Sequence, residues 1–122
     1  QQWVNDLPNE TNKKFVADFI KKYPGKKPSF YGAQSYDAAN LIASAVNALN
    51  GDLGDKKKTE AALEKADFKS VRGGFKYGNN HFPIQNFYLQ VAEKKGDDYV
   101  LKTVATIVEN DQDKHHSKCP MK

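Results

Sequence analysis

The sequence predicts a mixed α/β fold in which three helices and a short strand are followed by a C-terminal β-hairpin. Three observations carry this reading. Apolar residues recur at helical spacing from Phe15 to Tyr23 and again from Ala38 to Leu49. Between Ile84 and Ala92 the pattern changes to alternation, with Phe87, Leu89 and Val91 on one face. Gly96 interrupts the chain shortly afterwards, and Tyr99 to Val108 is rich in Val and Thr, as a strand prefers. Helices first and a hairpin last place the chain in the α/β or α+β class.

The segment from Asn5 to Asn12 is polar, contains Pro8 and reads as a loop in which Asn9 or Thr11 caps a helix. Phe15, Val16, Phe19, Ile20 and Tyr23 then form one apolar stripe, and Pro24-Gly25 stops it. Ser29 to Gly32 reads as a short buried strand feeding directly into the second helix. That helix carries Ala38, Leu41, Ile42, Ala45, Val46 and Leu49 and ends at Asn50-Gly51. Gly51 to Lys58 is a charged loop, and Thr59 opens a third helix with Ala62, Leu63 and Ala66. Gly73-Gly74 and Tyr77 to His81 are turns, and the tail from Glu109 onward is polar.

At 122 residues the chain has the length of one domain with a modest core. No apolar stretch is long enough to cross a membrane as a helix, so the reading is of a soluble chain. The charge of +4 comes from 19 basic against 15 acidic residues, and the lysines are dispersed with a single arginine, Arg72. A nucleic-acid interface would cluster them among exposed aromatics, so no nucleic-acid partner is expected. One cysteine, Cys119, cannot form a disulfide within the chain. His115, His116 and Cys119 fall short of the four ligands of a structural zinc site, and no metal or other cofactor is expected. No Ser, Cys or His is paired with a base and an orienting acid, and Asp37 complements the dipole of its helix more simply than it serves as a base. The chain is therefore read as non-catalytic.

The block from Pro28 to Ala39 carries the strongest functional signal. A strand end opening into a helix N-terminus is where α/β proteins hold ligands. Free N–H groups and the positive end of the helix dipole point into such a mouth. Phe30 or Tyr31 would provide an aromatic wall, and together these features suit a small anionic or zwitterionic ligand. Tyr31 heads the candidates and admits both a ligand contact and a core position. Gln34 and Tyr36 are lesser candidates at the helix mouth. Trp3, in a polar stretch before Pro8, reads as a lid over a ligand or as an anchor to further chain.

These residues also carry a resemblance. Trp3 to Asn12 followed by Lys13 to Phe19 is similar to the "W…D…NK.F…F…Y…P" stretch of type I periplasmic solute-binding proteins. Tyr31 to Ala39 resembles their "Y.A..YDA" segment, and Ser70 to Tyr88 their "f.svrG.f…n.h.piq.fy" segment. The ending Cys119-Pro120-Met121-Lys122 is similar to the terminus of one branch. These proteins serve ABC importers of branched-chain amino acids and aromatic acids.

The resemblance covers the C-terminal third of a longer, two-lobed protein. It implies that residues 1–83 complete the first lobe, that the hairpin at 84–108 belongs to the second, and that 109–122 is a polar tail. It further implies a periplasmic, non-catalytic protein that closes two lobes over an amino acid or aromatic acid and delivers it to a membrane permease. In the family an aromatic at this strand end contacts the ligand, which points to Tyr31. Cys119 would pair with a cysteine of the missing N-terminal portion, and a fragment of this kind is prone to form a swapped oligomer. A ligand-sensing regulator of the same fold and a free-standing protein-interaction domain are the rival readings.

Overall fold

The computed structural model describes residues 1–121. Three helices come first: α1 (Glu10–Lys22), α2 (Phe30–Ala48) and α3 (Lys56–Lys65). Three strands follow: β1 (Lys76–Tyr77), β2 (Pro83–Lys95) and β3 (Asp98–Asp111). They form an antiparallel sheet in the order β1-β2-β3. A short 3-10 turn at His116–Lys118 closes the described chain.

Asn9 caps α1 by accepting a 2.9 Å hydrogen bond from the Asn12 amide. Asp55 caps α3 through the amides of Lys57 and Lys58, so that helix begins before Thr59. The strand expected at Ser29 to Gly32 is corrected. Ser29 is instead the N-cap of α2, its hydroxyl accepting from the Gly32 amide at 3.3 Å, and the helix is already under way at Phe30. Four residues with two adjacent aromatics offer no second apolar rung for a strand, whereas serine followed by residues free to turn satisfies a helix end.

The hairpin is longer than the alternating pattern suggested, and the turn falls at Gly96-Asp97 with Gly96 at φ 65°. β3 runs to Asp111, so the expected tail begins as strand. Register shifts occur at three places, and at each the extra residue lies on β3. Bulges of this kind increase the twist of the bulged strand and bend it.

The core is small. Trp3, Val4, Leu7, Phe15, Ala33, Val71 and Tyr88 are buried together, with Val16, Phe19, Phe30 and Tyr36 packed against them. The N-terminal segment enters this core because Trp3 has a buried polar partner. The Trp3 indole N–H donates to Asn12 Oδ1 at 2.7 Å, and Asn12 Nδ2 donates to the carbonyls of Asn5 and Leu7. Asn12 is fully buried, so one amide satisfies three groups that would otherwise be stranded away from water.

The loop from Ser70 to Gly73 is fastened to α2 by Asp37, which is 1% exposed. Its carboxylate accepts from Ser70 Oγ at 2.5 Å, the Val71 amide at 3.0 Å and Arg72 Nε at 3.1 Å. Arg72 in turn donates to Gln85 Oε1 at 2.8 Å, which carries the link to the base of the hairpin. Gly73 turns the chain at φ 91°, a conformation that disfavours other residues.

Two substitutions test these ties. Asp37→Ala leaves Arg72 and two donors without their shared acceptor, and is expected to lower the unfolding free energy by about 3 kcal/mol in urea denaturation. A loss within error of zero would show that the carboxylate is dispensable. Asn12→Ala strands the Trp3 N–H and two carbonyls, costing about 2 kcal/mol. Trp3 is the single tryptophan, so the same variant should shift its fluorescence toward that of a water-exposed indole; unchanged emission would remove Asn12 from its role.

Candidate functional site

The mouth of α2 opens on a cavity of about 420 Å³. Its walls come from three parts of the chain: Trp3 and Val4 from the N-terminal arm, Lys27 to Phe30 from the approach to α2, and Tyr99 to Leu101 from the hairpin. Each part is held in place. The N-terminal arm is fixed by the Trp3–Asn12 bond and by paired main-chain bonds between Gln1 and Tyr88. The hairpin is tied to the arm where Thr103 Oγ1 donates to Asp6 Oδ1 at 2.7 Å. Helix α2 is fixed by Asp37 on one side and on another by Tyr36, whose ring lies 4.8 Å from that of Phe15.

The chemistry of this cavity favours a negative group with an apolar body. The first intrahelical bond of α2 is donated by Ala33 to Ser29, so the amides ahead of Gly32 have no acceptor within the helix. The partial positive charge of a helix start lies there. Among the described residues Lys27 is the one charged side chain lining the cavity, and no carboxylate lines it. Trp3, Phe30 and Tyr99 supply aromatic surface. The arrangement offers contacts for binding and orienting; among the described residues, none of its lining side chains forms a nucleophile–base pair.

The four residues singled out from the sequence do not converge. Trp3 lines the cavity, but its ring is 2% exposed and belongs to the core, which corrects the expectation of a lid or a surface anchor. The cause is Asn12, which gives the indole N–H a buried acceptor. Tyr31 is 68% exposed, with its ring centroid 4.0 Å from that of Phe30. Gln34, one turn further along, lies in a separate groove of about 200 Å³ beside Asp37, Arg72 and Phe75. Tyr36 lies about 140° around the helix from Tyr31 and turns toward α1.

Sequence reasoning missed the hairpin wall. Tyr99 and Leu101 reach the cavity across roughly seventy residues of chain from Phe30. The one available signal was the pair of large side chains Tyr99 and Leu101 at alternate positions of a strand rich in Val and Thr.

A second, apolar groove of about 460 Å³ lies between α2, α3 and β1, with Leu41, Leu53, Leu63, Tyr77 and His81 on its walls. His81 Nε2 pairs there with Glu64 Oε1 at 2.7 Å. This groove is larger than the mouth cavity and borders the start of α3 at Lys56, but it carries acidic as well as basic side chains. Among the described residues no group of His, Cys, Asp and Glu is placed to hold a metal ion. Among the described residues no helix is long and apolar enough to cross a membrane.

Comparison with known proteins identifies the family and the fold. A family model described as periplasmic binding protein matches residues 1–97. A solute-binding protein of an ABC transporter from R. palustris, solved in complex with benzoate, is 35% identical, with a TM-score of 0.71 over 91% of this chain and 31% of that one. An ABC transporter substrate-binding protein from Sphaerobacter thermophilus shares the fold at 22% identity, with a TM-score of 0.76 over 89% of this chain and 30% of that one. No functionally curated protein matches. This chain therefore spans just under a third of the length of these solved relatives, and it belongs to the periplasmic binding protein family.

Proposed function

We propose that this chain, as a member of the periplasmic binding protein family, contributes one side of a binding cleft for an aromatic carboxylate taken up by an ABC importer. The observation that carries the reading is the 35% identity, across 91% of the chain, to a solute-binding protein that holds benzoate. The mouth of α2 supports it independently. A carboxylate meets a helix start and Lys27, and a flat ring meets Phe30, Trp3 and Tyr99. An α-amino acid would bring an ammonium group as well, and no acidic side chain lines this cavity to receive it. That difference favours aromatic acids over branched-chain amino acids.

In this reading residues 1–83 belong to the first lobe and the hairpin reaches toward the second. The ligand is held by closure of the two lobes and undergoes no chemistry. The protein works in the periplasm and hands its cargo to a membrane permease. Tyr31, exposed at the first turn of α2, covers the ring when the cleft closes, and Trp3 forms the rigid wall behind it. Tyr36 and Gln34 act from behind the site, Tyr36 by seating α2 on α1 and Gln34 by flanking the groove that holds Arg72.

A thermal melt of this chain against benzoate, ring-substituted benzoates and branched-chain amino acids tests the proposal. A ligand that binds the folded form alone raises the midpoint, by about 2.7 kcal/mol of added stability at a hundredfold excess over its Kd. Benzoate is expected to raise it and leucine to leave it unmoved, with Lys27→Glu reducing the benzoate shift. A rise with leucine and none with benzoate would reassign the ligand. A cooperative melt indifferent to every compound would reject a usable half-site on this chain.

A further inference from the structure

The main chains of Gln1 and Tyr88 exchange two hydrogen bonds of 2.8 Å, Gln1 N to Tyr88 O and Tyr88 N to Gln1 O. Two residues that trade both bonds are a hydrogen-bonded pair of an antiparallel ladder. Gln1 is thus one rung of a strand lying beside β2, on the edge away from β3. On that edge β1 pairs only with Pro83 and Ile84. Among the described residues no strand pairs with that edge from Leu89 to Lys95.

This open edge is a usable template. The bulges of the hairpin all place their extra residue on β3, so β2 keeps its regular alternation. The N–H and C=O of Gln90, Ala92 and Lys94 therefore face the same way as those of Tyr88. No proline and no bulge of β2 itself blocks the edge between Leu89 and Lys95, and Leu89 and Val91 are 47% and 41% exposed on the adjoining face.

We propose that this edge seats an extended segment that continues upstream from Gln1, antiparallel to β2. The residue preceding Gln1 falls opposite Leu89, and the one before it opposite Gln90. The Gln1 rung fixes both direction and register, because Trp3 and Val4 carry the chain the other way into the core. The occupant is chain from the longer protein: the two solved relatives are covered only to 31% and 30% of their length, which leaves ample chain to supply it. The segment would turn a two-stranded arm, marginal on its own, into a three-stranded one. The inference rests on the hydrogen-bond pattern and not on the ligand.

Two N-terminal extensions of this chain test it, one Thr-Val-Thr-Val and the other Gly-Ser-Gly-Ser. The β-forming extension is expected to slow amide exchange at Gln90 and Ala92 at least about tenfold relative to the flexible one, and to raise the melting midpoint. Equal exchange at both amides in the two proteins would overturn the proposal. Protection of the same amides in the unextended chain that grows with protein concentration would overturn it as well, by giving the edge to a second copy.

Discussion

The carboxylate of Asp37 is the constraint on which the other parts depend. A buried charge survives in a protein only when paired and hydrogen-bonded, and Asp37 meets that condition with three donors from one short loop. Because the donors are consecutive residues, Ser70 to Arg72, the loop cannot rotate or slide along α2 without losing more than one bond. Arg72 passes the restraint on to Gln85, at the start of the hairpin arm. Its guanidinium also lies 4.7 Å from the ring centre of Phe75, so packing and charge fix the same side chain. Helix, loop and hairpin base thus share one polar anchor.

A second anchor sets the N-terminal arm. Asn12 draws Trp3 inward, and Val4 and Leu7 follow it into the core. The arm then stands between α2 and the hairpin, which is why a cavity exists at the mouth of α2. The Trp3 wall, held by a buried hydrogen bond, is preorganised, and preorganisation reduces what a ligand must spend on ordering its site.

The apolar surface left open fits a chain that spans about 30% of the length of its solved relatives. Tyr99, Leu101 and Ile107 on β3 and Ile42 on α2 are each more than half exposed. Large apolar side chains left open in this way suit surface that meets other protein. The hairpin illustrates the point: it is held to the body near its base and by Asp6 and Gln1, while its outer part packs on little else.

The helices were legible because their signals are local. Asn9 before an apolar stripe, Pro24-Gly25 after it and Asn50-Gly51 after the second helix act within one turn of the backbone, and the structure places helix ends at those points. The hairpin was legible through its alternation and Gly96. The start of α2 was misread because two aromatics beside a glycine satisfy the pattern of a short strand as well as that of a first helical turn. Only the capping bond from Gly32 to Ser29 separates the two. Tertiary structure alone decided the site. The partner that buries Trp3 is nine residues away, the donors that hold Asp37 lie more than thirty residues off, and the hairpin wall is further still. The sequence by itself determined which segments could be helix or strand, since that depends on neighbours along the chain. Which of Trp3, Tyr31, Gln34 and Tyr36 faces a cavity depends on how α2 is rotated against its neighbours, and buried hydrogen bonds between distant residues set that rotation.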